Sequence, residues 1–177
     1  MPVRHPPLSV PLLALAAAAC VPQSAARPVV APPPAALPAP PPVVQPVSDD
    51  WRDWPTTPGT WSYRRDGRGG LALFGPAGGD ALLSLRCDVA ARRLYLSRAG
   101  SATGPLTIRT TSLTRGVAVQ PTGGTPPYVA VALAPDDRLL DAMAFSRGHF
   151  TVQQAGTATL VVPAWAEVGR VIEDCRG

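Results

Sequence analysis

The chain has 177 residues, 46% of them hydrophobic and 16% charged, with a formal net charge of +4. All 16 basic residues are Arg, so a Walker-type phosphate loop, a Ser–Lys dyad and a Schiff-base lysine are excluded. From Asp49 onward 14 Arg stand against 12 acids, and no run of Arg exceeds two; this balance reads as solvated surface charge and argues against nucleic acid as a partner.

Met1 to Pro11 carries Arg4 and His5 and no acid. Leu12 to Ala19 is a short apolar run, too short to span a bilayer but of the length of a signal-peptide core. Ala17-Ala18-Ala19-Cys20 follows. This resembles the lipobox of bacterial lipoprotein precursors cut by signal peptidase II. The resemblance implies a signal peptide over 1–19, diacylglycerol on the Cys20 thiol, cleavage before Cys20 and acylation of the new N-terminus. It departs from the usual pattern in having Ala17 where Leu is common. An ordinary signal peptide, cut after Ala19 or after Ser24-Ala25-Ala26, is the competing reading. Val21, rather than Asp, follows the cysteine, which in such lipoproteins implies the outer membrane. Several acyl chains together anchor stably, since each buried methylene adds about 0.8 kcal/mol.

Val21 to Ser48 holds ten prolines. Proline fixes φ and removes amide donors, so a polyproline II spacer is expected, on the order of 85 Å at about 3.1 Å per residue. The globular domain then runs over 49–177, about 130 residues, the usual size of one domain. Its opening, Asp49 to Tyr63, carries Trp51, Trp54 and Trp61 among Pro55, Pro58 and Gly59. An irregular or extended lead-in is expected. The three rings read either as a binding platform or as a cover over the core.

Strands follow. Gly70–Gly75 comes after the turn at Asp66-Gly67. Ala81–Asp88 turns Leu83, Leu85 and Cys87 to one face. Arg93–Arg98 turns Leu94 and Leu96 inward, with Tyr95 and Ser97 outward. Leu106–Thr111 turns Leu106 and Ile108 inward. Such period-two alternation marks half-buried antiparallel strands. Val117–Gln120 and Tyr128–Leu133 continue the series, and His149–Gln153 with Thr157–Val162 flanks a hairpin signal at Gln154-Ala155-Gly156. A short helix is expected near 136–145, with Gly148 ending it. A C-terminal helix is expected over 163–176, with Pro163 in its first position and an apolar stripe of Trp165, Val168, Ile172 and Cys175. The expected fold is therefore mostly β (α+β): an antiparallel sandwich or rolled sheet with two helices.

Three cysteines are an odd count for an exported chain. Lipid on Cys20 leaves Cys87 and Cys175, both placed toward the core, as an expected disulfide. A loop of roughly 90 residues closed in this way is worth at most roughly 4.5 kcal/mol. Two buried free thiols are the alternative.

Little catalytic chemistry is spelled out. His149 is the only histidine after the signal, and HExxH, CxxC and GxSxG are absent. No metal ligand set and no cofactor is expected. Ser146 and His149 lie three apart without a third partner. Asp136, Asp137 and Asp141 read as helix-capping and solvated acids, with a paired-carboxylate or calcium site as the alternative. Arg147, Arg170, Glu167, Glu173 and Asp174 are expected to form a salt-bridged patch. From Trp51-x-x-Trp54-Pro55-x-Thr57-Pro58-Gly59-x-Trp61 to Glu173-Asp174-Cys175-Arg176, the domain resembles a family of bacterial envelope lipoproteins to which no activity is assigned. Its layout is also similar to invasion-associated locus B proteins and type VI secretion accessory proteins, an architectural likeness only.

The expected function is a non-enzymatic, membrane-anchored envelope lipoprotein that binds another envelope protein or supports an assembly. It would sit on the outer membrane facing the periplasm. The alternative is a module for cell-wall glycan or a small ligand, with Trp51, Trp54, Trp61, Arg147 and His149 as candidate binding residues. A hydrolase or hydrolase inhibitor using the Asp136–His149 region ranks third.

Overall fold

The structure, a computed structural model, describes residues 48–177. The lipobox at Cys20 and the proline tract up to residue 47 lie outside the described residues. Among the described residues no helix is long and apolar enough to cross a membrane.

The domain is mostly β, as its alternation predicts. Among the described residues ten strands form two antiparallel sheets, accompanied by two helices. The strands are β1 (Thr60–Asp66), β2 (Gly69–Gly75), β3 (Leu83–Asp88), β4 (Arg93–Ala99), β5 (Leu106–Arg109), β6 (Thr114–Val117), β7 (Gln120–Pro121), β8 (Tyr128–Leu133), β9 (His149–Gln153) and β10 (Leu160–Pro163). Helix α1 (Arg138–Ala144) lies between β8 and β9, and α2 (Ala166–Arg176) ends the chain. The larger sheet has six strands in the order β1-β2-β3-β4-β8-β7, and the smaller has four in the order β10-β9-β5-β6. Both sheets and both helices contribute to one core, which includes Phe74, Leu85, Leu96, Ile108, Leu140, Phe150 and Ile172.

The inward residues expected on β3, β4 and β5 are all buried. Register explains why. Leu85 pairs with Leu96 across β3 and β4, and Leu96 pairs with Val131 of β8. One slip of register would carry every one of these side chains to the other face.

Three expectations are corrected. Val117–Gln120 is not one strand: β6 ends at Val117 paired with β5, and Gln120 begins β7 paired with β8. The chain changes sheets there. Pro163 does not open the last helix but closes β10, paired with His149. The helix starts at Ala166, and Trp165 stands at its N-cap, 48% exposed rather than in the apolar stripe. Val171 joins Val168, Ile172 and Cys175 in that stripe. Phe145, not Gly148, caps the shorter helix, while Gly148 takes φ 77 in the reversal into β9. The lead-in is irregular, one of the two forms expected, with Trp51–Asp53 in a 3-10 turn capped by the Asp50 side chain.

Candidate functional site

Of the two readings of the tryptophans, the cover over the core is the one the geometry matches. Trp51 and Trp61 are buried, and each is tied down by chemistry that a ligand-facing ring would leave free. Trp51 meets the His149 ring edge-on at 5.4 Å, and its carbonyl lies 3.0 Å from His149 Nε2. A carbonyl only accepts, so Nε2 carries the proton. Trp61 packs on Phe74 and donates its indole N–H to the carbonyl of Pro163 at 2.8 Å. Trp54 is half-buried and donates to the carbonyl of Ser48 at 2.6 Å. Thr57 adds a two-way link to Val161, its N–H donating to the Val161 carbonyl and its hydroxyl accepting from the Val161 N–H. Trp51, Thr57, Trp61 and His149 thus strap the lead-in across β9 and β10.

Ser146 and His149 do meet, but through the wrong atoms for catalysis. The Ser146 hydroxyl donates to the backbone carbonyl of His149 at 2.6 Å and accepts from the N–H of Thr111. The pair shapes the turn into β9. Arg147 is exposed and makes no ion pair among the described residues.

The salt-bridged patch expected around Arg147 is replaced by a contact between α2 and β1. The Tyr63 hydroxyl donates to Asp174 at 2.5 Å, Arg65 pairs with the same carboxylate at 3.4 Å, and Arg170 stacks 4.6 Å from the Tyr63 ring. The hydrogen bond to Asp174 raises the Tyr63 pKa, because ionising the hydroxyl would set two negative groups together. Gly70 lies under Asp174, where a Cβ would collide with the carboxylate. Glu167 and Glu173 take no part.

Two of the three acids of the α1 region also have structural duties, while Asp136 is exposed. Asp137 caps the helix, accepting from the N–H of Leu139, and forms a two-pronged pair with Arg115 at 2.8 and 2.9 Å. The Arg115 guanidinium holds this carboxyl below its usual range. Asp141 pairs with Arg176 at 2.8 Å. Among the described residues no three His, Cys, Asp or Glu side chains are grouped to hold a metal ion.

Cys87 and Cys175 are joined, with Cα atoms 5.3 Å apart. The bond fastens the end of α2 to the end of β3, and Cys175 Sγ lies 3.3 Å from the carbonyl of Arg93. Beside it opens a cleft of about 550 Å³ lined by Arg92, Arg93, Pro135, Asp136 and Arg176. Sequence reasoning missed this grouping, because Arg92 and Arg176 are separated by most of the domain. It also missed Arg98, a buried arginine on β4. Strand parity carried that signal, since Arg98 has the same parity as Leu94 and Leu96.

Compared with known proteins, the chain matches no family model, no curated protein and no solved structure.

Proposed function

We propose that this protein is a lipid-anchored lipoprotein of the bacterial envelope whose disulfide-closed β domain serves as a non-enzymatic partner-binding or structural module. Cys20 is the attachment point, the proline tract is the spacer, and the outer membrane facing the periplasm is the address. The observation that carries this reading is the bond between Cys87 and Cys175. It leaves Cys20 as the unpaired thiol of three cysteines, in the position the lipobox reserves for lipid. Structural disulfides also belong to oxidising compartments such as the periplasm. The non-enzymatic part is supported by His149, which is buried and occupied by the carbonyl of Trp51.

Fractionation tests the anchor. The native chain is expected in the outer-membrane fraction, released by detergent and not by salt, with Cys20→Ser moving to the soluble periplasm. Identical fractionation of the two would refute lipid attachment. Cross-linking in the intact envelope tests the partner-binding role. Adducts with a defined protein support it; glycan captured without protein would overturn it.

A further inference from the structure

The cleft beside the disulfide has a composition the anchoring reading does not use. Three arginines line it, Arg92 and Arg93 on the exposed end of the β3–β4 hairpin, against the single acid Asp136. Arg176 is already committed: its Nε donates to the carbonyl of Pro135 at 2.9 Å, and its terminal nitrogen pairs with Asp141. Two contacts use only part of its five N–H donors, so it stands as a preset third wall. Arg93 donates one bond to the carbonyl of Arg92 at 3.1 Å. Arg92 and Arg93 pair with no carboxylate among the described residues, so the free positive charge of the cleft resides in them.

The backbone supplies a second, independent observation. Arg92 has φ 49, and it is the one non-glycine residue at positive φ among those described. It sits at the end of the β3–β4 turn, where its N–H donates to the carbonyl of Val89. Gly or Asn fills such a left-handed position at lower cost. A long cationic side chain held there is the kind of strain that collects at binding sites. The disulfide completes the arrangement, because Cys87 precedes the turn that carries Arg92 and Arg93, and Cys175 precedes Arg176.

The geometry points to an anion site: the cleft binds a phosphate-bearing ligand on Arg92 and Arg93, with Arg176 closing its third side. Guanidinium groups match phosphate oxygens in pairs of parallel hydrogen bonds, which suits a phosphate or diphosphate better than a lone carboxylate. The ligand is either a free phosphate compound or the headgroup of an anionic phospholipid. The inference does not depend on how the chain is anchored.

Calorimetric titration of the purified full-length chain tests it, with inorganic pyrophosphate and with glycerophosphoglycerol as soluble probes. Tighter binding of pyrophosphate assigns the cleft to free phosphates; tighter binding of glycerophosphoglycerol assigns it to lipid headgroups. Arg93→Gln is expected to weaken the better probe about tenfold, the scale of one lost charged hydrogen bond. Arg92→Gly is expected to weaken it similarly while leaving the melting temperature unchanged or raised, since glycine relieves the positive φ. That separation distinguishes a binding role from a structural one. Arg52→Gln, which alters a cation at the Trp51 strap, is expected to change nothing. The site is refuted if both probes bind more weakly than about 10 mM, if Arg92→Gly and Arg93→Gln bind like the native chain, or if Arg52→Gln weakens binding as much as they do.

Discussion

Arg98 is only 3% exposed, on the strand face it shares with Leu94 and Leu96. Its terminal nitrogens reach across the core to the carbonyls of Val152 on β9 and Ala158 in the β9–β10 loop, and its Nε has no partner. Burial lowers its pKa, because the charge has left water for two neutral acceptors. Arg98 thus links the two sheets at a desolvation cost. Arg98→Ala is expected to lose about 3 kcal/mol, from the cavity and the freed carbonyls. Arg98→Met fills the volume and removes the buried charge, so a loss nearer about 1 kcal/mol is expected. Urea denaturation of both variants checks this, and equal losses would mean that the carbonyl bonds, not the volume, dominate. Asp137 gives a pH-dependent counterpart. Its pKa is depressed below 3.8 by Arg115 and by the N–H of Leu139. The folded chain therefore takes up this proton less readily than the unfolded chain. The stabilisation is fully present above the unfolded value and is lost as pH falls through the folded one. Asp137→Ala is expected to cost about 1 kcal/mol at pH 7, mainly as a lost helix cap, and to cost less at pH 2 in the same denaturation assay.

At the scale of elements, α2 is held by its apolar stripe, the disulfide, the Tyr63–Asp174–Arg65 contact and the Arg176–Asp141 pair. Gly70 makes the third possible by leaving room for the carboxylate. Gly70→Ala is expected to destabilise by about 1–3 kcal/mol, as overpacking usually does. In an Asp174→Ala background the same change should cost much less, and a double-mutant cycle measures the difference. Additive losses would show that Gly70 is needed for some other reason. The stripe of α2 was legible because helical spacing depends on the helix alone. Its start was not: Pro163 suits a helix's first position and an edge strand equally well, and pairing with His149 decides between them. The division of Val117–Gln120 was hidden for the same reason. Four residues show alternation, but they do not say which neighbour each half will join.

For the whole molecule, alternation and turn signals made the mostly β class and the closing helix readable. Strand order was not, because β4 pairs with β8 across a long excursion through the other sheet. The candidate sites divided along the same line. The pairing of Cys87 and Cys175 could be reached by counting cysteines and placing each on a core face. The tryptophans could not be told from a platform, because composition does not reveal what covers a ring. The cleft of Arg92, Arg93 and Arg176 exists only once the disulfide and the fold bring distant arginines together. Replacing Cys87 and Cys175 together with Ser is expected to cost about 2–4 kcal/mol, since the bond restrains most of the unfolded domain. Thermal denaturation of the variant beside the native chain checks this, and unchanged stability would show that the bond restrains little.

Mass spectrometry of the non-reduced protein, purified from its own envelope, tests anchor and closure together. The expected N-terminal peptide begins at Cys20 and carries the added mass of a diacylglyceryl group and an acyl chain, and the peptides holding Cys87 and Cys175 travel as one linked species. An unmodified N-terminus, or two free thiols in the mature domain, would contradict it.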